Sequence, residues 1–137
     1  MDREKLIQAA LEAREHAYTP YSHFQVGAAL LTKEGKVYQG CNIENASYTP
    51  TICAERTAFF KAVYDGERNF EAIAIAGSPE GPCTGYAAPC GVCRQVMMEF
   101  CNPKEFRVII AKSTEDYKEY SLEELLPMGF GPSSLEG

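Results

Sequence analysis

The stretch E-A-I-A-I-A-G, residues 71–77, is apolar at nearly every position. A strand with one face in water alternates polar and apolar side chains; one without that alternation is covered on both faces. F-R-V-I-I-A, 106–111, repeats the pattern. Two such strands require helices on both sides of one sheet, which restricts the chain to a layered α/β fold. The rest of the sequence supplies them. Leu6, Ala9, Ala10, Ala13 and Ala17 recur at helical spacing over 2–16, with Asp2 as cap. F-Q-V-G-A-A-L-L-T, 24–32, and V-Y-Q-G-C, 37–41, flank the turn K-E-G-K and predict an antiparallel hairpin. A helix is predicted from Cys53 to about Asp65, stopped by Gly66, with Ala54, Ala58, Phe59 and Ala62 on its apolar face. After the Gly- and Pro-rich loop 78–88, Pro89 is predicted to open a second helix, to about Phe100, with Val96, Met97 and Phe100 inward. S-L-E-E at 121–124 has the form of a capping box. The order strand, helix, strand, helix, strand predicts parallel pairing with right-handed crossovers beside the hairpin, hence a mixed sheet.

The 137 residues fit one domain, spanning 1–137. A net charge of −6 and the lack of any basic run argue against a nucleic-acid partner. Met-Asp-Arg-Glu-Lys is too charged for a signal peptide, and the apolar run Val26 to Leu31 is too short to span a membrane. A cytoplasmic location with no membrane partner is expected. In a reducing compartment the six cysteines are metal ligands, catalytic groups or core thiols rather than disulfides.

Three of them form a pattern. Cys53 stands at one predicted helix start; Cys90 and Cys93, in P-C-G-V-C, stand at the next. Helices that follow neighbouring parallel strands begin at the same edge of a sheet, so the three thiolates can converge. Thiolates select zinc, and three protein ligands leave a fourth position open. Glu55, two residues after Cys53, would point away from it inside a helix. At a half-wound helix end it can stand beside the open position and move protons. Arg56 is placed to donate hydrogen bonds to the thiolates and offset their excess negative charge. C-A-E at one helix start and P-C-x-x-C at the next match the zinc deaminase signature, with the glutamate outside the ligand set. Taken singly, Cys53 would be a core thiol, Glu55 a solvated first-turn carboxylate and C-x-x-C a redox pair or half a structural zinc site. Cys83, just before Cys90, raises a further alternative, a closed four-thiolate site that would be structural. Cys41 and Cys101 read as core thiols, and His16 and His23 as surface residues.

Beyond these motifs, Y-S-H-F-Q-V-G-A-A-L at 21–30 and G-C-N-I-E-N-A-S-Y at 40–48 complete a pattern. With C-A-E-R-T-A and P-C-G-V-C-R-Q, it resembles the cytidine deaminases, specifically the small homotetrameric kind with three cysteine ligands. The resemblance runs over nearly the whole chain. It implies a three-layer α/β/α fold with a mixed five-stranded sheet. It also implies one zinc ion per subunit on Cys53, Cys90 and Cys93, with Glu55 as proton shuttle. By the same resemblance, Asn42 and Glu44 hold the ribose hydroxyls and Phe24 packs on the pyrimidine. The Ala54 backbone meets the base carbonyl, and the Ala88 carbonyl, where many relatives have Ser, holds the departing amine. Phe130 reaches into a neighbouring subunit's site, and Ala46 and Tyr48 build the site across the interface. T-P-T-I at 49–52 is less typical of the family.

The implied reaction is hydrolytic deamination of cytidine and deoxycytidine to uridine and deoxyuridine. Glu44 near the sugar, in an acidic protein, disfavours a 5′-phosphate. The competing functions are a zinc deaminase for another amino-heterocycle, such as the blasticidin type, a structural-zinc binding module, and a thiol redox protein using Cys90 and Cys93.

Overall fold

A computed structural model describes residues 1–135. The elements in chain order are α1 (Arg3–Arg14), β1 (Phe24–Thr32), β2 (Val37–Cys41), α2 (Ala54–Tyr64) and β3 (Phe70–Pro79). There follow α3 (Gly91–Phe100), β4 (Arg107–Ala111), β5 (Tyr117–Ser121), the single turn α4 (Leu122–Leu125) and a 3₁₀ turn, Pro132–Leu135. One five-stranded sheet runs in the order β2-β1-β3-β4-β5.

The sheet is mixed, as expected, but its pairing differs from the sequence reading in one respect. β1 pairs antiparallel with β2 and also with β3; β3 and β4 are parallel; β4 and β5 are antiparallel. The strands β2 and β3 therefore run the same way without touching, because β1 lies between them. The first crossover, through α2, skips a strand. The starts of α2 and α3 nevertheless share one sheet edge, since direction, not adjacency, decides that edge.

Alternate residues of the central strands feed two cores. Ala28, Leu30, Ile73, Ile75, Val108 and Ile110 pack with Ala54, Ala58, Phe59 and Ala62 of α2 and Met97 of α3. Ala29, Leu31, Ala72, Ala74, Ala76 and Ile109 pack on Leu6, Ile7 and Ala10 of α1. This is the three-layer α/β/α arrangement. Small residues set how closely the layers approach. A Cβ on Gly27 would lie 2.1 Å from the Ala10 carbonyl, and one on Gly40 2.4 Å from that of Ala54. The start of α2 thus rests directly on the backbone of β2, and the Thr57 hydroxyl ties the two again through the Cys41 carbonyl at 3.1 Å.

The predicted caps form as expected at three places. Asp2 accepts from the Lys5 N–H at 2.8 Å, Gly66 ends α2 at φ +94°, and Ser121 and Glu124 form the reciprocal box. Pro89 does not open α3; Cys90 is its N-cap and Gly91 its first helical residue.

Arg14 is buried at the end of α1, with no carboxylate partner among the described residues. Its guanidinium donates to the carbonyls of Gln25, Gly81, Ser78 and Pro79 and to the Ser78 hydroxyl, at 2.7–3.1 Å. All three guanidinium nitrogens find acceptors, with Nη2 shared among three of them, the condition under which a buried guanidinium is tolerated. The result fastens the beginning of the loop 78–88 to α1 and β1. No helix among the described residues is long and apolar enough to cross a membrane.

Candidate metal centre and adjoining cavity

Cys53 and Cys90 are both helix N-caps, with extended backbone at ψ 154° and 167°. That answers the spacing problem at Cys53 and Glu55. Cys53 is not yet helical while Glu55 is in the first turn, so the opposed directions of an i, i+2 pair inside a helix do not apply. The three sulfurs of Cys53, Cys90 and Cys93 lie within 4.8 Å of one another. Cys53 and Cys90 Sγ are 3.8 Å apart, and Cys90 and Cys93 Sγ 3.4 Å. A disulfide needs about 2.05 Å. Tetrahedral zinc with bonds of about 2.3 Å spaces its sulfurs by about 3.8 Å. The spacing therefore fits a metal held by three thiolates. Cys83 is not in the cluster: it packs against the α1-side core and points its thiol at the Gly85 carbonyl, 3.8 Å away. Among the described residues no fourth cysteine, histidine or carboxylate closes the set. Cys41 and Cys101 sit half-buried at the ends of β2 and α3, and His16 and His23 are exposed.

Electrostatics favour ionisation of Cys53 first, whereas the hydrogen bond to Cys53 and burial push the Cys93 thiol up. A hydrogen bond from Cys93 and the Arg56 guanidinium outweigh desolvation and hold the Cys53 thiol down at about 5. Arg56 Nη2 donates to Cys53 Sγ at 3.2 Å, while its Nε is buried without a partner. A leftover guanidinium donor beside the sulfurs suits a donor set more negative than neutral thiols. The N-termini of α2 and α3 add partial positive charge. Glu55 is 4% exposed, and burial, reinforced by the Cys53 charge, pushes its carboxyl up to about 7. A carboxyl poised there can accept and return a proton near neutral pH.

Glu55 opens onto a cavity of 190 Å³ lined by Phe24, Val26, Asn42, Ala54, Ala88 and Cys90, with Thr51, Ile52, Cys53, Ile75 and Ala87 completing its wall. Sequence reasoning missed Val26, Thr51, Ile52, Ile75 and Ala87. Val26 was recoverable from strand alternation with Phe24, and Thr51 and Ile52 from their position just before Cys53. The Asn42 amide bridges two residues of β1, accepting from the Val26 N–H at 2.9 Å and donating to the Phe24 carbonyl at 2.8 Å. Glu44 lies outside the cavity wall. It accepts from the N–H groups of Tyr21 and Ser22 at 3.0 and 3.1 Å and from the Ser22 hydroxyl. The Ser22 hydroxyl, the strongest of these contacts, holds the Glu44 carboxyl below its ordinary value. Ser22 Oγ in turn accepts from the Phe24 N–H at 3.0 Å.

Ala46, Tyr48 and Phe130 are exposed and take no part in lining this cavity. Among the described residues, three non-glycine residues have positive φ: His23, Tyr48 and Met128, at 58°, 53° and 54°. Each is one of the sequence-predicted site residues or lies within two positions of one, in keeping with the tendency of strained backbone to gather at functional sites.

Residues 1–110 match the family model described as "Cytidine and deoxycytidylate deaminase zinc-binding region", a span that includes all three thiols. The chain is 52% identical to a cytidine deaminase of Sporosarcina psychrophila over 135 residues, covering 98% of this chain and 96% of that one. It is 52% identical to a cytidine deaminase of Halalkalibacterium halodurans over 130 residues, 95% of each. Its fold superposes on the crystal structure of a cytidine deaminase from Burkholderia pseudomallei with a TM-score of 0.85 and 50% identity, over 95% of this chain and 100% of that one. With a mixed sheet, a three-thiol cluster and a buried glutamate beside it, the chain belongs to the cytidine deaminase family of zinc-dependent hydrolases.

Proposed function

We propose that this chain, as one domain over 1–137, hydrolytically deaminates cytidine and deoxycytidine in cytoplasmic pyrimidine salvage. We further propose that it works as a homotetramer with sites shared between subunits. The observation that carries the reaction is the buried Glu55 beside three converging thiols, opening on one small cavity. Cys53, Cys90 and Cys93 hold the zinc. When bound, zinc lowers the pKa of water and makes it a nucleophile at neutral pH.

The chain's own residues do the rest. The pyrimidine packs on Phe24. The N–H groups of the first turn of α2, which lack intrahelical partners, present a donor at Ala54 to the base carbonyl. Glu55 takes a proton from the attacking water and gives it to ring N3 as the new C–O bond forms at C4. It then carries the remaining proton of the new C4 hydroxyl to the exocyclic nitrogen, the C–N bond breaks as the C4 carbonyl forms, and ammonia leaves past the Ala88 carbonyl. Asn42 and Glu44 hold the ribose hydroxyls, with Asn42 already fixed on β1. The thiolates carry one more negative charge than a zinc dication neutralises, and Arg56 offsets the excess. The exposure of Ala46, Tyr48 and Phe130 supports their acting on a neighbouring copy's site.

The test is the ultraviolet change on adding cytidine to purified protein, with zinc analysis and a Glu55→Gln variant. The expected result is turnover by the native chain, preferred over cytidine 5′-phosphate in kcat/KM. In the variant kcat is expected to fall at least about 10²–10⁴-fold with zinc retained. A zinc-loaded native protein without turnover would instead indicate another amino-heterocycle as substrate.

A further inference from the structure

The motif P-C-G-V-C-R-Q ends in two residues, Arg94 and Gln95, to which the reaction gives no task. Both reach from α3 to backbone carbonyls. Arg94 Nε donates to Pro89 at 2.7 Å, and its Nη1 to Leu125 at 2.6 Å. Arg94 thus joins the residue between Ala88 and Cys90 to the last residue of α4. Gln95 Nε2 donates to the Phe130 carbonyl at 2.8 Å. From the first anchor to just past the second, residues 126–131 form a strap pressed onto α3. A Cβ on Gly129 would come within 3.1 Å of Leu126 and of the Met98 sulfur, and one on Gly131 within 3.1 Å of the Met98 methyl. The two glycines leave no side-chain bulk between strap and helix on either side of Phe130. The Phe130 carbonyl is held while its ring stays 58% exposed and away from its own chain's cavity.

We propose that Gln95 is a positioning residue: by holding the Phe130 carbonyl it fixes the strap to the helix that carries Cys90 and Cys93, and so aims the Phe130 ring at a neighbouring copy's cavity. The proposal rests on the reading of Phe130 as a substrate contact supplied in trans. A phenylalanine in that place contacts substrate and cannot transfer protons, so misplacing it weakens binding rather than chemistry. Loss of one hydrogen bond of this kind corresponds to about a 3- to 10-fold effect.

The experiment is a double-mutant cycle on the zinc-loaded enzyme with Gln95→Met and Phe130→Ala, read as KM, kcat, zinc content and thermal midpoint. Met keeps the length of Gln and loses the donor, and position 95 is exposed, so folding is not at stake. Expected are a KM for cytidine raised about 3- to 10-fold by Gln95→Met, with kcat, zinc and midpoint unchanged, and no further rise from Gln95→Met once Phe130 is Ala. Additive effects, an unchanged KM, or a loss confined to kcat or thermal midpoint would overturn the proposal. If Phe130→Ala itself leaves KM unchanged, the role of Phe130 fails and this inference with it, a result read from the single variant alone.

Discussion

Arg56 shows at the residue scale what the site asks of its surroundings. One of its nitrogens is bonded to Cys53 and another is buried without a partner. Among the described residues its guanidinium faces sulfur and no carboxylate, as the proposed role of offsetting the thiolates requires. Arg56→Gln keeps a donor and loses the charge. It is expected to lower kcat about 10- to 100-fold, the worth of a hydrogen bond to a charged group, while zinc content, measured by metal analysis, changes far less. This residue was legible in the sequence because it adjoins a motif whose chemistry demands compensation. Arg14 was not: an arginine near the end of an amphipathic helix reads as solvated, and only the fold brings the four carbonyls and the hydroxyl that bury it. Phe24 and Asn42 likewise read as a core strand residue and a turn residue until the cavity joins them.

Among elements, the contact that sets the metal centre is that of α2 on β2. Gly40→Ala places a methyl 2.4 Å from the Ala54 carbonyl and 2.5 Å from the Ala58 nitrogen, neither of which can rotate away. The helix has to lift, and Cys53 and Glu55 lift with it. A loss of about 1–3 kcal/mol in stability is expected, with zinc affinity weakened about tenfold, by denaturant titration and competition with a chelator.

A second tie joins α1 to the far edge of the sheet: Glu119 on β5 accepts from Arg3 at 2.8 and 3.1 Å and from Arg107 at 2.9 Å. The Arg3 hydrogen bond, then Arg107, holds the Glu119 carboxyl below its ordinary value. A depressed carboxyl stabilises the folded state above the unfolded pKa, about 4.3, and loses that contribution as pH falls through the folded one. Glu119→Gln is therefore expected to lower stability at pH 7 by on the order of 1 kcal/mol or less for a pair still open to solvent, read as a lower thermal midpoint. The gap from the native protein is expected to close below about pH 4. Element identity was legible from periodicity, but strand order was not: nothing in F-Q-V-G-A-A-L-L-T says that it pairs on both edges. Y-K-E-Y-S, now β5, lacked the apolar run that marked β3 and β4.

For the whole molecule, the sequence motifs sort into two groups. The thiols, Glu55, Phe24, Asn42, Ala54 and Ala88 meet within one chain, while Ala46, Tyr48 and Phe130 do not. Composition and spacing could not separate them, and only the family resemblance set the second group apart, because a residue that would serve a neighbour and one that would serve its own chain look the same in one dimension. On the proposed role of Phe130, a working site is inherited from two subunits, Glu55 from one and the exposed Phe130 ring from the other. A chain carrying Glu55→Gln still lends a sound Phe130; a chain carrying Phe130→Ala still owns a sound Glu55. Each homogeneous oligomer is crippled. After the two are unfolded together and reassembled at random, about one site in four should combine both intact parts, and activity at low cytidine should return from a mixture of two defective proteins. Residues confined to their own chain's site cannot rescue one another in this way.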